Sequence, residues 1–265
     1  MSSRSLSLRA IVAAILSALA AGTAAAEGEL RVCADPDNLP YSDDRERGFE
    51  NRIARVLADE TGRALVNVWQ PLRRGFVRKT LGAHACDVVI GVPADFERVL
   101  TTRPYYRSSY VFVTPASRPA VSGFVDESLK RSRVGVQLIG NDLAATPAGY
   151  ALARHGVVDN VVGYTIYGDG PAAQRVVSAI DHGELGVGVL WGPQAGYFAA
   201  RAAEPLKVTV AHAPADVQVA FEFDIAVGVR KGDRALRDQL DAALVHRRSE
   251  IDAILAEYRV PRTDR

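Results

Sequence analysis

The sequence predicts an α/β protein with two lobes, because short apolar strands and amphipathic helices alternate in two separate stretches of the chain. Residues 114–123 lie between these stretches and are rich in Pro, Ser and Gly, which is typical of a connection. The chain has 265 residues, of which 48% are hydrophobic. This length and composition allow a sizeable buried core, and the alternation favours parallel sheets over a sandwich.

The first stretch contains three predicted strands separated by helices. Its clearest helix carries Phe49, Ile53, Val56 and Leu57 at helical spacing, and Gly62 is a typical stop signal. The predicted order is strand 30–34, helix 48–62, strand 64–69, a helix with Phe76, Val77 and Leu81 on one face, and strand 87–92.

The second stretch repeats this rhythm and ends in a long amphipathic segment. The predicted order is strand 133–138, helix 141–156, strand 160–166, helix 171–184, strand 186–191, helix 192–203, strand 206–210 and strand 223–230. A closing helix follows, with an apolar stripe formed by Leu236, Leu240, Leu244, Ile251 and Leu255. The two stretches therefore predict two α/β units of similar design.

Residues 1–26 are predicted to be an export signal. Arg4 and Arg9 precede a short apolar run, and Ala24 and Ala26 occupy the small positions that a signal peptidase recognises. The run is about half the roughly 20 residues that a membrane-spanning helix needs. We predict cleavage after Ala26, a periplasmic location and no membrane span in the mature chain.

Charge and motifs argue against several classes of function. The net charge is +1, from 32 basic and 31 acidic residues, so nothing favours binding to nucleic acid. The five histidines are scattered, and no nucleophile, phosphate-loop or metal-ligand motif is present in the sequence. We predict that the protein is not an enzyme and has no catalytic residue, metal site or cofactor.

Cys33 and Cys86 are a candidate disulfide. An even pair of cysteines in an oxidising compartment is more often bridged than free. However, Cys33 lies towards the end of its predicted strand, whereas Cys86 precedes the start of its own. In parallel strands this offset could exceed the Cα separation that a disulfide tolerates, so a reduced pair remains the alternative.

The order of these elements resembles that of the bilobal periplasmic solute-binding proteins of the polar amino-acid type. The motifs that carry this resemblance are LRVCADPDNLPYS, GFENRIARVLA, CDVVIG, ERVLTTRPYYRSSYVFV, RVGVQL and AGYFA. In that family the chain returns to the first lobe for its last strand and helix. The resemblance implies a type 2 fold with a two-strand hinge, lobe I from 27–115 and 220–265, and lobe II from 116–219.

A second set of motifs is similar to the MoxJ/XoxJ-type component that accompanies methanol dehydrogenases dependent on pyrroloquinoline quinone (PQQ). These motifs are CADPDNLPYS, GFENRIA, RRGFVRKTL, CDVVIGVP, RPYYRSSYVFV and WGPQAGYFA. The resemblance implies a periplasmic protein made alongside a quinoprotein alcohol dehydrogenase and its cytochrome. Its implied role is to mature or activate that enzyme.

In such a fold a ligand lies between the lobes, at the carboxyl ends of the strands. The candidate cleft residues at these strand ends are Asp35, Asn38, Tyr41, Trp69, Arg98, Gln137, Asn141 and Trp191. Tyr41 and Trp69 could instead be packing residues. Arg98 could pair with a neighbouring acid on an exposed turn, where an ion pair contributes little.

The contacts expected for an amino-acid ligand are incomplete. Pro93 stands where the resembled receptors carry a hydroxyl residue, and proline has no N–H to donate. Gly186 and Trp191 occupy two positions that are acidic in those receptors. We therefore expect ordinary amino acids to bind weakly or not at all. Trp191 either fills the cleft by packing or offers a flat face to an aromatic ligand.

Arg73, Arg74 and Arg78 are candidates for docking a partner. Helical spacing places Arg74 and Arg78 on one face, which is either simply solvated or a docking patch for an acidic protein. Two functions remain open. One is an accessory factor of a periplasmic PQQ-dependent dehydrogenase. The other is the solute receptor of an ABC transporter for a small organic ligand that is not an amino acid.

Overall fold

The computed structural model describes residues 28–139, 144–165 and 170–264. The predicted export signal and Asn141 lie outside the described residues. Within them, no helix is both long and apolar enough to cross a membrane.

The first half of the chain alternates between strands and helices as predicted. Its elements are β1 (Glu29–Ala34), β2 (Asp37–Asn38), β3 (Ser42–Asp43), α1 (Phe49–Glu60), β4 (Ala64–Trp69), α2 (Phe76–Lys79), β5 (Val88–Pro93), β6 (Leu100–Thr101) and β7 (Tyr106–Pro115). The prediction that helix α2 continues through Leu81 is wrong. It stops at Lys79 because Thr80 leaves the helical conformation (φ −111°, ψ −87°) and the chain tightens into a 3₁₀ turn.

The second half contains the remaining elements. They are α3 (Glu127–Arg131), β8 (Val134–Ile139), β9 (Ala144–Ala145), α4 (Pro147–Arg154), β10 (Val161–Tyr164), α5 (Ala172–Asp181), β11 (Val187–Trp191), α6 (Gly192–Ala199), β12 (Leu206–Val210), β13 (Glu222–Val229), α7 (Arg234–His246) and α8 (Arg248–Glu257).

Helix α3 was not predicted, and two other helices of the second half differ most from the prediction. Helix α4 begins at Pro147 because Thr146 caps it, and the two residues before Thr146 pair with β8 as a strand. The closing helix is interrupted at Arg247 and forms α7 and α8. Both helices still bury the predicted stripe, from Leu236 to Leu255.

The main strands follow the order β10-β8-β11-β7-β13-β5-β1-β4. Strands β1, β4 and β5 pair in parallel, as do β8, β10 and β11, which confirms the predicted α/β class with two lobes. The long antiparallel strands β7 and β13 join the halves. Strand β7 pairs with β13 over Tyr106–Ser109 and with β11 from Tyr110 onwards, so the chain crosses within β7 and not in residues 114–123. The exact lobe bounds stay a prediction.

Each lobe has its own apolar core. In lobe I, α1 buries Phe49, Ile53 and Leu57 completely against the sheet and the two closing helices. Burial of one such side chain contributes about 1.5–3 kcal/mol. In lobe II, Phe112 and Val176 belong to two clusters on opposite faces of the sheet. The predicted periodicity of α1 is therefore confirmed.

The structure joins Cys33 and Cys86 in a disulfide, with the Cα atoms 5.6 Å apart. Strands β1 and β5 pair with Cys33 opposite Val89, so Cys86 is three residues out of register. The chain before β5 bends back towards β1, where Asp87 accepts a hydrogen bond from the Arg31 guanidinium at 2.8 Å. This bend compensates for the offset between the two cysteines.

The last residues, 258–264, form a segment that we call the C-terminal strap, which lies against the crossing strand β7. The Ser108 hydroxyl donates to the carbonyl of Pro261 at 2.5 Å, and the amide of Thr263 donates to the carbonyl of Arg107 at 3.1 Å. The strap therefore continues from the last helix of lobe I onto the strand that leads into lobe II.

Two glycines of α6 allow close approach to this helix of lobe II, by the strap at Gly196 and by β7 at Gly192. A Cβ at Gly196 would lie 1.9 Å from the carbonyl oxygen of Arg259, and a Cβ at Gly192 would lie 2.6 Å from the carbonyl oxygen of Ser109. The ring of Tyr258 stacks on Tyr197 of α6, with centroids 5.7 Å apart. The WGPQAGYFA motif thus provides a surface on which backbone from lobe I packs.

Candidate functional site

A cleft of about 930 Å³ opens between the lobes. Its lobe I wall comes from the carboxyl ends of β1 and β5, the loops that follow them and the loop after β4. Lobe II contributes Gln137 of β8, the residues at the start of α5, and residues at the junction of β11 and α6. This volume lies within the range of small-molecule sites. The cleft is therefore the candidate functional site.

Most of the predicted cleft residues meet there. The described residues of that set that line the cleft are Asp35, Asn38, Tyr41, Arg98, Gln137 and Trp191. Trp69 ends the edge strand β4 and is not among the lining residues. Side chains from both lobes thus converge on one space, as the order of the elements predicted.

Asp35 holds the cleft wall together. One carboxylate oxygen accepts a hydrogen bond from the amide of Leu72 at 2.6 Å, and the other accepts from the amide of Asp37 at 2.9 Å. The second bond is a local turn in which an aspartate carboxylate binds the backbone two residues on. Asp35 therefore ties the loop after β4 to the end of β1.

Arg98 is exposed in the turn that follows β5 and lines the cleft. Within the part of the chain that the structure describes, it forms no ion pair with Asp95 or Glu97. Pro93 lines the cleft beside it and pairs with Ile225 of β13. The site keeps the arginine, but Pro93 provides neither a hydroxyl nor an amide donor beside it.

Trp191 closes the inner end of the cleft by packing across the two lobes. Its ring meets Tyr110 at 5.5 Å and Phe223 at 5.6 Å between centroids, both near the edge-to-face geometry that aromatic pairs prefer. It also packs against the core of lobe I. Burial raises the pKa of Tyr41 well above its usual value, and the indole of Trp191 acts in the opposite direction. These contacts favour the packing interpretation of Trp191.

Glu50 is a cleft residue that the sequence analysis missed. It is partly buried in the first turn of α1 and lines the cleft. Its carboxyl lies against Gly91 of β5, where a Cβ would be 1.8 Å from Oε1. Removal from water raises the pKa of Glu50 well above its usual value. The missed signal is its position, because Glu50 precedes Ile53, Ala54 and Leu57 by three, four and seven residues on the buried stripe.

Three tyrosines interact electrostatically with the Glu50 carboxyl. Tyr105 and Tyr106 are 1% and 2% exposed, and burial, with a smaller contribution from Glu50, raises their pKa values well above the ordinary value. Tyr41 also has a raised pKa, to which Glu50 contributes. The Tyr105 hydroxyl has no hydrogen-bond partner among the described residues. The lobe I wall of the cleft thus places one carboxyl close to neutral phenols.

The basic residues Arg73, Arg74 and Arg78 are all exposed. They do not share a helix, because α2 begins only at Phe76, after Gly75 in the left-handed conformation (φ 84°). Arg73 lines the cleft, so this basic patch adjoins its mouth. Across the described ranges, no group of three or more His, Cys, Asp or Glu side chains is placed to hold a metal ion.

Comparisons with known proteins cover most of the chain. A MoxJ protein of Methylorubrum extorquens is 36% identical over 252 residues, covering 88% of this chain and 81% of the relative. The MoxJ protein of Paracoccus denitrificans is 33% identical over 259 residues, covering 92% of each. The crystal structure of the periplasmic binding protein XoxJ from Methylobacterium extorquens AM1 matches with a TM-score of 0.75 and 31% identity, covering 89% of this chain and all of XoxJ. No protein-family model matches the chain.

Proposed function

Because the chain belongs to the MoxJ family, we propose that it is a periplasmic accessory factor of a PQQ-dependent methanol or alcohol dehydrogenase. In this proposal it is exported by residues 1–26 and assists maturation or activation of the enzyme through protein contact. The carrying observation is the identity of 36% and 33% to two MoxJ proteins over most of the chain.

The chemistry of the cleft supports a role other than amino-acid import. Pro93 leaves Arg98 without a neighbouring hydroxyl, and Trp191 packs where the resembled receptors carry an acid. Without that acid, a buried ammonium in the same position would be unpaired, which costs several kcal/mol. An amino-acid zwitterion therefore loses the contacts that the resembled receptors provide at these two positions.

The basic patch supports contact with a protein. Arg73, Arg74 and Arg78 are exposed, and Leu72 beside them is 56% exposed, so cationic and apolar groups share one surface at the mouth of the cleft. Such a surface complements an acidic surface with an apolar centre. We propose that this face docks the dehydrogenase.

A pull-down tests the proposal. Tagged protein is expressed in methanol-grown cells and recovered from the periplasm, with Arg73, Arg74 and Arg78 either intact or changed to Glu. Arg131, Lys231 and Arg234 are exposed and do not line the cleft. Their change to Glu gives a control with the same difference in charge. We expect wild type and control to recover a quinoprotein dehydrogenase, and the patch variant to recover at least tenfold less.

Equal recovery by the patch variant and the control would reject the docking face. Recovery of no dehydrogenase by any form would reject the accessory role. The cleft, at about 930 Å³, favours a second candidate, the solute receptor of a transporter. Co-purification of a small organic molecule without dehydrogenase would support that second function.

A further inference from the structure

Glu50 has no established role, and its surroundings indicate a ligand. We propose that the cleft binds an organic cation, an ammonium or guanidinium group, on the Glu50 carboxylate. The inference concerns the cleft itself and holds whether or not the protein serves a dehydrogenase.

The carboxyl is held at the cleft wall by close packing on one side. Gly91 of β5 has φ +77°, and a Cβ there would lie 1.8 Å from Oε1 of Glu50. The positive φ favours glycine at this position, and a larger residue would also displace the carboxyl. Glu50 also lines the cleft. The side chain is therefore presented to whatever occupies the cleft.

The described residues supply Glu50 with no counter-charge. Among residues 28–139, 144–165 and 170–264, none donates a hydrogen bond or forms an ion pair to its carboxylate. Burial alone raises its pKa. A partly dehydrated carboxylate without a partner destabilises the fold, and such groups concentrate at functional sites. A cation in the cleft would provide the missing partner.

Among the described residues, no other charged side chain that lines the cleft is a dehydrated acid without a partner. The ionisable side chains that line it besides Glu50 and the tyrosines are Asp35, Asp37, Arg73 and Arg98. Asp35 already accepts two backbone hydrogen bonds, and Asp37, Arg73 and Arg98 are exposed. The raised pKa values of Tyr41, Tyr105 and Tyr106 keep these phenols neutral below pH 10. Glu50 is the acid placed among dehydrated groups.

The walls near Glu50 restrict the class of cation. Tyr41, Tyr106 and Trp191 line the same cleft, and aromatic faces attract ammonium and guanidinium groups as well as apolar carbon. A primary amine carried by an aromatic or alkyl body satisfies both the carboxylate and these rings. An amino-acid zwitterion also brings a carboxylate, for which the site lacks a complete clamp.

Calorimetric titration of the protein purified from the periplasm tests the site. Benzylamine is the probe, and benzyl alcohol is its neutral match. The variant E50Q removes the charge. Asp59 is exposed on the same helix, so D59N provides the same change in charge away from the cleft. We expect benzylamine to bind wild type and D59N, with a Kd at least tenfold higher for E50Q and for benzyl alcohol on wild type.

A second part of the experiment distinguishes whether the cation is a free amine or a protein side chain. A tripeptide with a central lysine, capped at both ends, is compared with the same peptide carrying norleucine. If the lysine peptide binds at least tenfold more tightly than benzylamine, and only with Glu50 intact, the cation belongs to a protein side chain. If benzylamine binds more tightly, the cation belongs to a free amine. Both outcomes support the site.

Release of the Glu50 proton on binding can be measured, and a change in packing alone would not alter it. Near the pKa of Glu50, binding of a cation expels the proton, so the measured heat depends on the ionisation enthalpy of the buffer. This dependence should be present for wild type and D59N and absent for E50Q. Equal binding of benzylamine by wild type and E50Q, equal binding of benzyl alcohol and benzylamine, or no binding of either cation would overturn the inference.

Discussion

The two sides of the interlobe cleft are built on different principles. At the inner end, Trp191 packs between aromatic rings, and α6, which follows it, packs closely on the backbone of the C-terminal strap outside the cleft. At the lobe I wall, the Glu50 carboxylate has no partner among the described residues, and neither has the hydroxyl of Tyr105, which is buried and does not line the cleft. The first region is complete without a ligand, whereas the second is not. The difference fits our proposal, in which the inner end supports the packing between the lobes and the lobe I wall binds the ligand.

The largest expected loss of stability comes from disrupting the contact between α6 and the C-terminal strap. In the variant G196A, the new Cβ would lie 1.9 Å from the carbonyl oxygen of Arg259, so the helix and the strap must separate. Overpacking against backbone typically costs about 1–3 kcal/mol, and we expect about 3 kcal/mol here. Thermal unfolding followed by circular dichroism measures this loss.

The matched control is G232A. Gly232 lies just before α7, and a Cβ there has no heavy atom within 4 Å. Its melting temperature should stay within about 2 °C of wild type, which is the scale of a surface change. If both variants melt alike, the strap contributes little to stability and the inner end is less closely packed than its geometry indicates.

A smaller loss is expected when the aromatic contact between the lobes is removed. The variant W191A deletes the ring that packs between Tyr110 and Phe223. Truncation of a buried Trp costs about 3–5 kcal/mol, and because Trp191 is partly buried we expect about 2 kcal/mol. Chemical denaturation measures this difference as a lower midpoint at an unchanged slope.

Trp69 provides the comparison for Trp191. It is also partly buried, but it ends an edge strand and does not line the cleft. W69A should leave the binding of any cleft ligand unchanged, whereas W191A should alter it because the cleft becomes longer. Unchanged ligand binding in W191A would show that Trp191 only supports the core.

The sequence predicts the two sides of the cleft unequally. Local pattern was sufficient for β4, whose predicted bounds at 64–69 are those observed, and for the buried face of α1. It failed at α4, where the cap at Thr146 and the pairing of β9 with β8 override helical propensity. The close approach at Gly196 depends on a segment more than 60 residues later in the chain. Such a contact follows from tertiary structure and has no local signal.

Glu50 shows how a site residue is missed when only strand ends are searched. The candidates Asp35, Asn38 and Tyr41 were found because they follow β1, and the structure places all three at the cleft. Glu50 lies instead on a helix, at a position where the apolar stripe predicts a hydrophobic side chain. A charged residue on a buried stripe is a conflict between local pattern and fold, and such conflicts occur at functional sites.

The smallest expected effect on stability is at Glu50 on the lobe I wall, where removal of an unpaired charge should stabilise the protein. Burial raises the pKa of Glu50 in the folded state, so between the unfolded and folded pKa values the folded state holds more protons. The penalty is complete above the folded pKa and disappears as the pH falls towards the ordinary value for Glu, about 4.3. E50Q should therefore be more stable than wild type at pH 8, by on the order of 1 kcal/mol.

Thermal unfolding at pH 8 and pH 5 measures this effect, with D59N as the control. The gain of E50Q over wild type should shrink at the lower pH, whereas D59N should follow wild type at both. A loss of stability in E50Q at pH 8 would mean that the carboxylate already has a partner in the folded protein. In that case the lobe I wall would be as complete as the inner end, and the contrast between the two regions would no longer identify a ligand site.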